Sequence, residues 1–133
     1  DIKARGEKVS YESSLVQSVI LRKNKTKMMK QLIHDLTMML AVSYHETYNI
    51  QNMLACGVLE VKTNLFFTKM GLKSFSENSL FKQSDINNKT VNLMYTKKFS
   101  DEALACTEKY KKLWENRLDI SPGKDESNTL RVA

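Results

Sequence analysis

Residues 50–71, IQNMLACGVLEVKTNLFFTKMG, decide the fold class. Ile50, Met53, Leu54, Gly57, Val58, Val61 and Leu65 recur at intervals of three and four, the spacing of one helical face, and the helix so expected ends near Gly71. Gly57 on that face either admits a close neighbour or marks a helix end, because glycine costs about 1 kcal/mol in a helix interior. Cys56 stands off the face, beside Leu59 and Phe66, where a second packed element would reach it.

Working outward, residues 27–48 carry the strongest helical pattern of the chain. Met29, Leu32, Ile33, Leu36, Met39 and Leu40 form an apolar stripe with Thr26 as its N-cap, and Met28 and Met38 widen it. Earlier, Ser10 caps an expected helix to about Lys23, with Tyr11, Leu15, Val16, Val19 and Ile20 inward. Later, residues 72–84 read as a long connection with a short helical turn, and Asp85–Lys98 as a weaker helix. Ser100, followed by Asp101 and Glu102, starts a last helix whose inward face is Ala103, Cys106, Tyr110, Leu113, Trp114 and Leu118. Ser121-Pro122-Gly123 ends it. The expected architecture is therefore all-α, a compact bundle or orthogonal array of about five helices. Residues 1–9 form a polar lead-in, 10–120 a single helical domain and 121–133 a polar C-terminal tail.

Composition narrows the function classes. The chain has 133 residues, 41% hydrophobic and 27% charged, enough for one buried core. No run approaches the roughly 18 apolar residues of a membrane span. Lys and Arg outnumber Asp and Glu by 21 to 15, a net charge of +6, densest at Arg22, Lys23, Lys25, Lys27 and Lys30. That run is a candidate anion-binding patch for a polyanion such as a glycosaminoglycan. Nucleic acid is a poorer fit, because no aromatic residues interleave with the lysines and no recognition motif accompanies them.

Catalytic signatures are missing. The four glycines, Gly6, Gly57, Gly71 and Gly123, stand singly, so no phosphate loop is formed, and there is no Cys-x-x-Cys pair. His45-Glu46 opens like a zinc-protease motif, but the second ligand position is Asn49. His34 lies three helical turns, about 16 Å, from His45, too far to share a metal. No catalytic residue, metal or cofactor is assigned.

Cys56 and Cys106 are an even count that permits one disulfide, and closing a loop of about 50 residues would stabilise the fold by roughly 4 kcal/mol. Asn24 and Asn88 each begin an Asn-Lys-Thr sequon and are candidate glycosylation sites. With Asp1 in place of Met, these features point to a secreted protein, the alternative being cytoplasmic. The expected function is a non-enzymatic helical protein that binds another macromolecule, as an extracellular inhibitor or ligand of a partner protein. Met28 and Met38 are its candidate partner-binding surface. Two alternatives are a carrier of a small hydrophobic ligand, favoured by an apolar cavity, and an intracellular helical interaction domain whose basic patch contacts nucleic acid.

Overall fold

The computed structural model describes residues 4–12 and 26–118. Strand β1 spans Val9–Glu12 and helix α1 Lys27–Thr47, followed by β2 (Asn52–Val58), α2 (Thr63–Met70), β3 (Lys73–Ser74) and β4 (Leu80–Gln83). A 3-10 turn at Ser84–Ile86 leads to β5 (Lys89–Thr96), and α3 (Asp101–Glu115) follows. The strands form one mixed sheet in the order β1-β2-β5-β3, with β4 also paired to β5. β1 runs parallel to β2, and the other pairs are antiparallel. The all-α expectation is thus overturned: α1 and α3 are the expected helices at 27–48 and after Ser100, but the stretches between them build a sheet.

The error began in residues 50–71. β2 reads Asn52-Met53-Leu54-Ala55-Cys56-Gly57-Val58, and its burial alternates residue by residue after Met53. Met53 and Ala55 face the helices and join the core with Met38, Val42, Phe67 and Met94. Leu54, Cys56 and Val58 face the other side of the sheet. A central strand with apolar residues on both faces is one continuous hydrophobic run, and such a run also satisfies the helical spacing. Likewise β5, taken as a weak helix, is rich in Thr, Val and Tyr, which suit the pleated surface. Ser10–Glu12, expected to open a helix, lie in β1; the remainder of that expected helix, and the tail at 121–133, lie outside the described residues.

The lead-in is tied down from Arg5 onward. Asn52 donates its backbone N–H to the Lys8 carbonyl at 3.2 Å. The Glu7 carboxylate accepts from Arg5 at 2.8 Å, from Asn52 Nδ2 at 3.0 Å and from Lys97 at 3.1 Å. These hydrogen bonds, that from Arg5 foremost, hold its carboxyl down at about 2.

Two helix starts follow the capping rule. Thr26 Oγ1 accepts from Met29 N at 3.2 Å, and Ser100 Oγ accepts from Ala103 N at 3.2 Å. Ser100 also donates its backbone N–H to the Met70 carbonyl at 2.9 Å, so the end of α2 and the start of α3 share one junction. Asp35 on α1 joins α1 to α3, accepting from Gln31 at 2.7 Å, Lys109 at 3.3 Å and the Tyr110 hydroxyl at 3.4 Å. Burial works to raise this carboxyl, but the three donors outweigh it and hold it below the usual range.

The expected disulfide is not present: both cysteines are free. Cys56 is on a strand rather than a helix, and its Sγ lies 3.1 Å from the hydroxyl of Tyr11, on the face of the sheet away from the core. Cys106 packs in the core with Met53 and Ala55 on the opposite face. The sheet stands between them. In the unreduced native protein, denaturation should expose two titratable thiols per chain to a thiol reagent; fewer than two would contradict this arrangement.

Gly57 does admit a close neighbour, although on a strand. A Cβ there would lie 2.6 Å from the backbone Cα of Asn64 in the first turn of α2. Gly57→Ala is expected to destabilise the fold by about 1–3 kcal/mol, as overpacking against backbone does. Urea unfolding of the two proteins measures it.

Candidate functional site

β1 supplies the polar residues of the site. Its register pairs Ser10 with Met53 and Glu12 with Ala55, so both side chains stand on the helix-covered face, while Val9 and Tyr11 point to the other. The alternation in VSYE marks a strand, but with its faces inverted: Ser10 and Glu12 are half-buried while Val9 and Tyr11 are exposed. α1 faces β1 with Thr37, Ala41 and Tyr44, which the four- and three-residue steps place on one side of the helix. Between them lies a half-open cavity of about 420 Å³. Its apolar wall includes Leu40, Met53, Phe66, Phe67 and Met70, with Trp114 arriving from α3. The volume falls at the lower end of the roughly 300–1,000 Å³ range of small-ligand sites.

At the polar end of the cavity the His45 ring has partners on both nitrogens. Nδ1 lies 3.1 Å from the Ile50 carbonyl, and Nε2 lies 2.6 Å from Ser10 Oγ. A carbonyl only accepts, so Nδ1 carries the proton. Burial pushes the imidazole below its ordinary value, partly offset by the Ile50 bond, and the neutral ring then accepts the Ser10 hydroxyl proton at Nε2. Phe99 packs its ring edge-on to His45 at 5.0 Å. The Ser10 oxygen is left with lone pairs and no proton to give.

Glu12 stands two residues further along the same strand face. Burial raises its carboxyl above the usual range. No hydrogen bond or ion pair holds it among the described residues. Among the described residues that line the cavity there is no Lys or Arg, and Glu12 is the one carboxylate.

The residues singled out from sequence fall elsewhere. Of the candidate anion-binding patch, Lys27 and Lys30 are exposed on the first turn of α1, and Arg22, Lys23 and Lys25 lie outside the described residues. Asn24 also lies outside them; Asn88 is exposed in the turn before β5, in a left-handed conformation with φ 54°. Met28 is 78% exposed, but Met38 is 1% exposed and belongs to the core, so it has no surface to offer a partner. The sequence reading passed over Ser10 as a helix cap and Glu12 altogether. It named His45 only to set it aside as a metal ligand. No group of His, Cys, Asp and Glu among the described residues is placed to hold a metal ion, and none of their helices is long and apolar enough to cross a membrane. The chain matches no protein-family model, and no curated protein or solved structure is similar to it.

The lowered His45 has a consequence for stability. A histidine kept neutral by folding contributes fully above its unfolded value near 6.5, and that contribution is lost as pH falls through 6.5 toward the folded value. Glu12, raised by folding, acts in the opposite sense at lower pH, in the carboxylate range. Between about pH 7.5 and pH 5.5 the melting temperature should therefore fall, and His45→Gln should flatten that slope. Thermal melts of both proteins across the window give the comparison; equal slopes would contradict the buried neutral ring.

Proposed function

We propose that this protein binds a small, mainly apolar ligand in the cavity between α1, α2 and β1, as a carrier or sensor rather than by chemical turnover. The observation that carries the reading is the cavity itself: about 420 Å³ with a mainly apolar and aromatic wall, and with Ser10 and Glu12 contributed by β1. Apolar walls supply affinity through area removed from water, and a few placed polar groups orient the ligand. The Ser10–His45 pair supports binding in the same way. Both imidazole nitrogens are already occupied, so the pair holds the Ser10 oxygen in a set position. The partner-protein reading draws on less, since one of its two methionines, Met38, is buried.

Trp114 is the single tryptophan of the chain and lines the cavity, so its fluorescence reports occupancy directly. Straight-chain alcohols of six to ten carbons should bind saturably at one site. Affinity should rise about fourfold per methylene, the equivalent of ~0.8 kcal/mol, until the cavity is filled. Ala41→Phe, which places a ring in the cavity, should weaken binding by more than about tenfold while the protein stays folded. Absence of a saturable Trp114 response, or equal binding by Ala41→Phe, would refute the proposal.

A further inference from the structure

We infer that the ligand of this cavity is a cation, an ammonium group carried on an apolar body, with Glu12 as its counter-ion and Ser10 as its second acceptor. The inference rests on the cavity-binding reading above and names the chemistry of its ligand.

The polar groups along the β1 and α1 sides of the cavity present acceptors. Ser10 gives its proton to His45 Nε2, so its oxygen faces the cavity with lone pairs alone. Thr37 gives its proton to the Ile33 carbonyl at 2.7 Å, which leaves the same kind of surface. The Glu12 carboxylate accepts only, and none of the described residues donates to it. A ligand head that matches such a set must donate without needing to accept, and an ammonium does that with up to three N–H groups. The spacing agrees. Ser10 and Glu12 are two residues apart on one strand face, about 6.6 Å along the backbone, so one ligand head group can lie beside both side chains.

Charge points the same way. In a chain of net charge +6, the described residues of the cavity lining include one acidic side chain and neither lysine nor arginine. Among the described residues, the titratable groups that line it are Glu12 on β1 and Tyr44 and His45 on α1; the lining residues from β2, α2 and α3 are Met53, Phe66, Phe67, Met70 and Trp114, none of which ionises in the ordinary range. A carboxylate partly withdrawn from water without a partner is costly, and a bound cation removes that cost. The rings of Tyr44, Phe66, Phe67 and Trp114 add faces that attract a cation. A carboxylate-headed lipid would meet Glu12 as a like charge, and a neutral alcohol would offer it one hydrogen bond without a compensating charge.

The test compares octylamine, octanol and octanoate, three probes with one tail length, by Trp114 fluorescence and calorimetry on the full chain at about pH 7.5. Octylamine should bind at least about tenfold more tightly than octanol, the scale of a hydrogen bond to a charged group, with octanoate weakest. In Glu12→Gln the amine's advantage over octanol, read as the ratio of the two affinities within the same variant, should vanish. Octylamine binding no better than octanol in the unmodified protein overturns the inference and leaves the cavity reading standing, and so does an advantage that survives Glu12→Gln. Failure of all three probes to bind overturns both. The comparison among probes needs no variant, so it decides the question even if Glu12→Gln folds poorly.

Discussion

Asn52 sets the geometry on which the rest of the molecule depends. It is fully buried at the start of β2, and its polar atoms are all engaged. Its side-chain amide donates to the Glu7 carboxylate at 3.0 Å and the Lys8 carbonyl at 3.1 Å, its side-chain oxygen accepts from the Tyr95 hydroxyl at 2.9 Å, and its backbone N–H donates to Lys8. A buried amide left unpaired would cost about 1–3 kcal/mol, so β1 and β5 are held to β2 in one register. That register decides function. A shift of one residue in β1 would turn Ser10 and Glu12 outward and present Val9 and Tyr11 to the cavity. The parallel pairing of β1 depends on contacts more than 40 residues apart in sequence, which a short edge strand of four residues could not specify alone.

The helices use the same device at a different point. Asp35 carries its charge into the α1–α3 interface, where Gln31, Lys109 and Tyr110 answer it. At the other end, Gly71 turns the chain with φ 102°, and a Cβ on it would lie 2.8 Å from the Ser100 backbone nitrogen. These two polar junctions frame an apolar layer of Met38, Val42, Met53, Phe67, Met70 and Met94. Four of those six are methionines, unbranched side chains that fill irregular space between helices and a sheet. The cavity lies at the margin of this layer, where β1 ends the sheet and α1 runs past it, so the wall of the candidate site is continuous with the core.

Parts of this were legible in the residues. The helix at 27–48 was legible, although Leu32 and Leu40 of its expected stripe are exposed and its buried face runs through Met38, Met39 and Val42; Thr26 and Ser100 are true caps because their side chains answer the first unpaired N–H groups. The close approach at Gly57 was legible too, though not the kind of element it lies on. β2 was not legible, because a strand with apolar residues on both faces lacks the polar–apolar alternation that distinguishes it. The candidate site was largely invisible. Ser10 and Glu12 carry no motif, and His45 becomes informative only when its two ring nitrogens are seen to be occupied.

The sequence by itself determined the two long helices, their caps and the basic character of the chain, because those follow from local spacing and local charge. The tertiary structure alone decided that the middle of the chain is a sheet. It also decided that Cys56 and Cys106 lie on opposite faces of it, and that Ser10, Glu12 and His45 meet at one end of an apolar cavity. The reason is the range of the forces involved. Helical hydrogen bonds close within four residues and leave their period in the sequence, whereas strand pairing and cavity lining are set by partners tens of residues away.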